Sequence, residues 1–167
     1  MSQDSDSRRK LITAAASKIM DEALKSIQDF QEFETPKLRD DYDKLHARML
    51  FMSDLEKDFS HLYRRATELR HEVEVSRARA KEFLEDAKME VVNKANFKNP
   101  ANAYQSKAET DGKIRALTFE AQYELRNWEE LYIDMQYLID VIRSMQNDAY
   151  KQRRDIDTRL KIFSLQL

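Results

Sequence analysis

The chain has one glycine, two prolines and no cysteine among its 167 residues. Glycine and proline supply most tight turns and phosphate-cradling loops. A sequence almost without them has nowhere to place β-hairpins, and long helices with few breaks are expected. The lack of cysteine excludes disulfides, thiol catalysis and cysteine-ligated zinc or iron–sulfur sites. No apolar run approaches the roughly 18 residues of a membrane-spanning helix. A basic start (Arg8-Arg9-Lys10) is interrupted by Asp4, Asp6, Asp21 and Glu22, which a transit peptide avoids. The reading is a soluble intracellular, cytoplasmic protein, in a host cell's cytoplasm if a phage encodes it.

What is present is helical pattern and charge. Charged residues make up 36% and hydrophobic residues 41%, too apolar for full disorder and typical of long helices. Residues 1–7 are polar and are expected to be a disordered tail. Over 8–34, Ile12, Ala15, Ile19, Ala23, Ile27 and Phe30 recur at three and four, one stripe of an amphipathic helix. Thr35-Pro36 then reads as N-cap and first helical residue. A long helix follows to about Lys94, with a seam from Leu38 through Leu45, Met52, Phe59, Ala66, Val73 and Ala80 to Phe83 and Ala87. The steps average about 3.5 residues, a coiled-coil period. Turn-prone residues cluster over 93–112 (Asn93, Asn96, Asn99-Pro100, Asn102, Asp111-Gly112) and predict a loop there. A second long helix runs from about Lys113, with Leu117, Leu125, Trp128, Met135, Ile142 and Ile156 in its seam. The fold class is all-α: a long antiparallel helical hairpin over 35–167, plus the short N-terminal helix.

Between Leu125 and Met145 the second helix is apolar beyond one stripe, and a helix apolar all round is buried all round. The N-terminal helix could cover the surplus within a three-helix monomer. The preferred alternative is a helical homo-oligomer, with Trp128, Tyr132, Met135, Ile139 and Ile142 at the interface.

Nothing predicts catalysis. His46, His61 and His71 include no pair at metal-ligand spacing, no serine sits on a glycine-flanked turn, and carboxylates alternate with Lys and Arg as on a solvated face. No enzyme activity, metal or cofactor is expected. The net charge is −2, yet the signs are segregated. Arg64, Arg65, Arg70, Arg77, Arg79 and Lys81 form one basic group, and Arg143 to Lys161 holds another. In the expected loop, Lys94 and Lys98 interleave with Phe97 and Tyr104. Cations with aromatics in a polar segment suit single-stranded nucleic acid, because phosphates pair with the cations while unpaired bases stack on rings. The plainer alternative is that these clusters only solubilise the helices or pair with Glu74, Glu82 or Glu85.

The layout resembles the UvsY-type recombination mediator proteins of tailed phages. Ser76-Arg77-Ala78-Arg79-Ala80-Lys81-Glu82-Phe83-Leu84 is similar to the family's basic–x–basic element followed by paired aromatics. Tyr104-Gln105-Ser106-Lys107 resembles the entry to its second helix. Tyr137 to Ser144, with Asn147, Tyr150 and Lys151, resembles its closing segment. Phe83-Leu84 stands where the family favours two tyrosines, and the N-terminal helix is additional to its shorter members. The resemblance implies a ring-like homo-oligomer that binds single-stranded DNA. It would help load a RecA-like recombinase where a single-strand-binding protein already sits. Arg77 and Arg79 would carry the DNA contact, with Lys81, Lys94, Lys98, Phe97 and Tyr104 assisting. Ring assembly would multiply weak contacts into avidity. A helical scaffolding or chaperone-like assembly protein of a phage is the other class left open.

Overall fold

The computed structural model describes residues 2–31, 42–94 and 107–165. Among these, every residue except Thr118 is α-helical, and there is no strand. The helices are α1 (Ser2–Gln31), α2 (Tyr42–Lys94), α3 (Lys107–Leu117) and α4 (Phe119–Leu165). The all-α expectation holds.

Three local expectations change. The N-terminal segment is helical from Ser2, not a disordered tail. Asp4 in its first turn favours the positive end of the helix, and Ser5 and Arg9 are fastened to α4 as described below. Both ends of the loop expected over 93–112 are helical. Asn93 and Lys94 close α2, while Asp111 and Gly112 lie inside α3; the stretch containing Pro100 falls outside the described residues, as do Thr35 and Pro36. The helix expected to be continuous from Lys113 is instead α3 and α4, meeting at Thr118. Thr118 Oγ1 donates to the Ile114 carbonyl at 2.7 Å and accepts from Gln122 Nε2 at 2.7 Å. Backbone bonds Thr118 N to Ile114 O and Gln122 N to Thr118 O, each 3.0 Å, carry the ladder across. A threonine bonding back onto the preceding turn distorts a helix without breaking it. The consequence is a register change: Thr118 is 2% exposed, and Leu117, expected in the seam, is 63% exposed.

The chain packs as two compact units. The first comprises residues 1–9 and 70–134, the second residues 10–69 and 135–167. In the second unit α1 contributes Ile12, Ala16, Ile19 and Ala23 to the buried set. From α2 come Leu45, Met52, Leu55, Phe59, Leu62 and Ala66, and from α4 Met135, Leu138, Ile139, Ile142, Ala149, Ile156 and Leu160. Glu56–Arg153, Ser60–Gln146 and Tyr63–Arg143 pair in reverse order along the two helices, which fixes α2 and α4 as antiparallel. Glu22 with Arg65 ties α1 to α2.

In the first unit the buried apolar residues are Val73, Ala80, Leu84, Ala121, Trp128 and Leu131. Ser76 fills the gap in the expected seam between Val73 and Ala80, its hydroxyl donating to the Glu72 carbonyl at 2.9 Å. After Ala80 the buried row steps four residues to Leu84 rather than three to Phe83, which is 39% exposed. This follows from the 3.6-residue helical period drifting against a 3.5-residue pattern.

Much of the apolar surplus of α4 is buried within one chain, while Ile133 and Tyr137 stay exposed. Trp128, Met135, Ile139 and Ile142 are each at most 3% exposed, and Tyr132 is half-buried. Four of the five residues expected at an interface between copies are thus buried within the single chain, and Tyr132 is partly exposed.

Candidate nucleic-acid interface

The basic element lies on α2 in the first unit. Val73, Ser76, Ala80 and Leu84 turn one face of the helix inward, so the residues between them are distributed around its rim. Arg77 is half-buried, and its guanidinium lies over the Tyr132 ring of α4, 4.3 Å from the centroid. Arg79 and Lys81 are exposed. Arg77 and Arg79 do not share a face: Arg77 covers Tyr132, whereas Arg79 lines a cleft whose other walls include Arg8 of α1 and Glu120 of α4. Three cations within five residues thus surround the helix rather than forming a flat patch, as 100° per residue requires.

Ion pairing is common along the long helices, although the exposed Lys10, Lys18, Lys25, Lys44 and Arg154 of the second unit make none among the described residues. Arg64, Arg126, Arg143, Lys57, Lys88, Lys151 and Lys161 pair with carboxylates one turn away. Arg65 and Arg153 pair between helices of the second unit. Arg77, Arg79 and Lys81 make no ion pair among the described residues, with Glu74, Glu82 and Glu85 or any other carboxylate. In α3 of the same unit, Lys107, Lys113 and Arg115 are likewise exposed and without ion pairs among the described residues. Of the other expected contacts, Lys94 is the last residue of α2. Phe97, Lys98 and Tyr104 lie outside the described residues.

Beside the basic element is a polar network that the sequence pattern does not reveal. Glu124 on α4 accepts hydrogen bonds from Arg9 at 2.8 Å, from the Trp128 indole N–H at 2.9 Å, and from the Ser5 hydroxyl. Arg9 also sits over the Trp128 ring, 5.4 Å from the centroid, and pairs with Asp6. Desolvation pushes the Glu124 carboxyl upward, but the donors from Ser5, Arg9 and Trp128 together with the Arg9 charge hold it below the usual carboxylate range. The Arg9 guanidinium is opposed by burial and is nevertheless held further toward its charged form by Glu124 and Asp6. The spacings Ser5–Arg9 and Glu124–Trp128 are visible one-turn pairs. Their meeting across 115 residues of sequence leaves no local signal.

Next to this network is a cleft of about 410 Å³, with Trp128, Ala80 and Phe83 as its apolar wall. Among the described residues no group of histidines, cysteines or carboxylates could hold a metal ion, and no helix is long and apolar enough to cross a membrane.

Compared with known proteins, the chain matches no family model, no curated protein and no solved structure.

Proposed function

We propose that this chain is a non-enzymatic, single-stranded-DNA-binding recombination mediator that helps load a RecA-like recombinase onto DNA covered by single-strand-binding protein. The observation that carries the reading is the absence of intramolecular ion pairs, among the described residues, at three cations clustered within five positions, Arg77, Arg79 and Lys81. A cation left without a carboxylate is available to a phosphate, and releasing counterions from DNA supplies the driving force. Lys107, Lys113 and Arg115 in the same unit add exposed cations, interleaved with Glu109 and Asp111. Arg77 contributes a guanidinium already oriented by Tyr132, and Arg79 one that is exposed to solvent.

A second reading, a helical assembly protein, is favoured by the exposed apolar residues Leu117, Phe119, Tyr123 and Ile133 of the first unit. Phe119 and Tyr123 stack on each other with ring centroids 6.4 Å apart. Self-association through them is compatible with the mediator reading, because a ring repeats a modest basic surface.

The test is oligonucleotide binding across a salt series. Arg77→Ala with Arg79→Ala should weaken binding strongly while leaving helicity intact, since neither side chain holds an ion pair in the fold. The slope of log affinity against log salt should flatten by about 0.7 for each phosphate no longer neutralised. Unchanged affinity and slope in the double variant would refute the assignment.

A further inference from the structure

The cleft beside Arg79 has a chemistry that neither a simple anion nor a simple cation satisfies. Several of its polar groups are already engaged: Glu124 by three donors, Ser76 by the Glu72 carbonyl, and Arg8 by Glu72 at 3.9 Å. Three are not. Arg79, Asp4 and Glu120 line the cleft, are exposed, and make no hydrogen bond or ion pair among the described residues. Between them lies the apolar wall of Trp128, Ala80 and the partly exposed Phe83 ring. A bare anion would meet two carboxylates, and a bare cation would meet the guanidinium. A ligand that fits has a flat apolar body, N–H donors on one edge and a negative charge at its attachment point. A nucleotide has these three parts. The volume, about 410 Å³, lies in the range of small-ligand sites, roughly 300–1,000 Å³.

We infer that this cleft receives one unstacked base of the bound single strand, with its phosphate on Arg79, its ring against Phe83, and its amino edge toward Asp4 and Glu120. The inference rests on the single-stranded-DNA reading and adds a base preference to it. A carboxylate accepts from the exocyclic amine of cytosine, adenine or guanine, whereas unpaired thymine offers only its imide N3–H, flanked by two carbonyl oxygens that repel a carboxylate. Stacking on Phe83 alone would be indifferent to sequence. The carboxylates therefore decide which bases enter.

Oligo-dC and oligo-dT of equal length test this at neutral pH and fixed salt. Both strands stack weakly on themselves, so a difference reports the base edge. Oligo-dC should bind about fivefold or more tightly than oligo-dT. Asp4→Asn with Glu120→Gln should bring the two strands to within twofold while circular dichroism stays unchanged. The chain's single tryptophan, Trp128, supplies a second readout. Its emission should change on titration with oligo-dC, and Phe83→Ala should diminish that change. Equal binding of dC and dT with the dependence on Arg77 and Arg79 intact would overturn the base pocket and leave DNA binding standing. A dC preference that survives in the Asn/Gln double variant would also overturn it, because the selectivity would arise elsewhere. Absence of binding to either strand would overturn both readings.

Discussion

The two units solve the same packing problem with different materials. Among the described residues, seventeen of the twenty-three buried apolar side chains belong to the second unit and six to the first. The second unit closes over Phe59, Ile19, Met52, Ile139 and Ile142, each nearly or fully buried. Its interhelical ion pairs, Glu22–Arg65 and Glu56–Arg153, are partly exposed. The first unit has one large anchor, Trp128, surrounded by a carboxylate, a guanidinium and a serine hydroxyl. Arg48 is the buried polar residue beside the seventeen apolar side chains of the second unit, whereas Ser76 and Thr118 are buried among the six of the first. A core of that kind gains less from burial and depends more on its hydrogen bonds being complete. The unit with the smaller core also holds the cluster Arg77, Arg79 and Lys81 and the mixed-charge cleft. Most of the buried apolar side chains lie in one unit and the candidate site in the other.

The largest expected effect breaks the second unit. Ile139→Asp with Ile142→Asp would place two charges where the parent side chains are 1% and 0% exposed. A buried, unpartnered charge costs several kcal/mol, comparable with much of a domain's stability. The expected result is loss of the helical circular dichroism signal at room temperature. Had these residues faced a second copy, the same change would instead yield a helical, dissociated chain. Sedimentation together with circular dichroism distinguishes the two outcomes. A fully helical monomer would contradict the single-chain core described above.

How legible each unit is in the sequence follows from the same difference. The second unit's stripes are readable because their periodicity is maintained by residues that do one thing: Ile12, Ile19 and Ala23 on α1, Met52, Leu55 and Phe59 on α2. In the first unit hydrophobic spacing gives the wrong register at Leu117, beside buried Thr118, and at Phe83, where the helical period drifts. The second unit slips on α1, burying Ala16 rather than Ala15. The candidate site is half legible. Arg77, Arg79 and Lys81 can be named from charge and resemblance, but whether Glu74, Glu82 or Glu85 neutralises them depends on rotamers. Asp4, Arg8 and Glu120 cannot be named, because a cleft assembled from three helices has no sequence spacing of its own.

Acid should separate the units at the next level of effect. Glu124 has its carboxyl held below the ordinary value of 4.5. A group with a depressed folded-state pKa binds protons more readily when unfolded. Its stabilisation is therefore complete above about 4.5 and is lost as pH falls through the folded value. Glu124→Gln should cost about 1.5–3 kcal/mol at neutral pH, the range for hydrogen bonds to a charged group. The penalty should shrink as pH drops below about 4.5. Glu22 of the second unit is also depressed, chiefly by the hydrogen bond from Arg65, and obeys the same sign. Its side chain is 38% exposed and that of Arg65 30%, so solvent screening limits Glu22→Gln to about 0–1 kcal/mol. Denaturant unfolding of both variants between acid and neutral pH checks the comparison. A larger penalty at Glu22 than at Glu124 would reverse the assignment of polar dependence to the first unit.

The smallest effect concerns α3, which has no buried residue and must draw its stability from intrinsic propensity more than from packing. Gly112 sits within it, and a Cβ built there meets nothing within 4 Å. Glycine in a helix interior is less favourable than alanine by about 0.5–1 kcal/mol, because it has more backbone freedom to lose. Gly112→Ala should therefore stabilise α3 by about that amount. Because nothing in α3 is fully buried, the gain should remain local rather than spread through the molecule, as expected of segments that open independently. Native-state hydrogen exchange is the suitable measurement. Amides of α3 should exchange about two- to fivefold more slowly in the variant, the factor corresponding to about 0.5–1 kcal/mol. Amides of the second unit, such as those around Phe59 and Ile142, should be unchanged. Slowing that extends to the second unit would mean that α3 opens only with the whole fold, and the contrast between a packed unit and a propensity-dependent one would no longer hold at this helix.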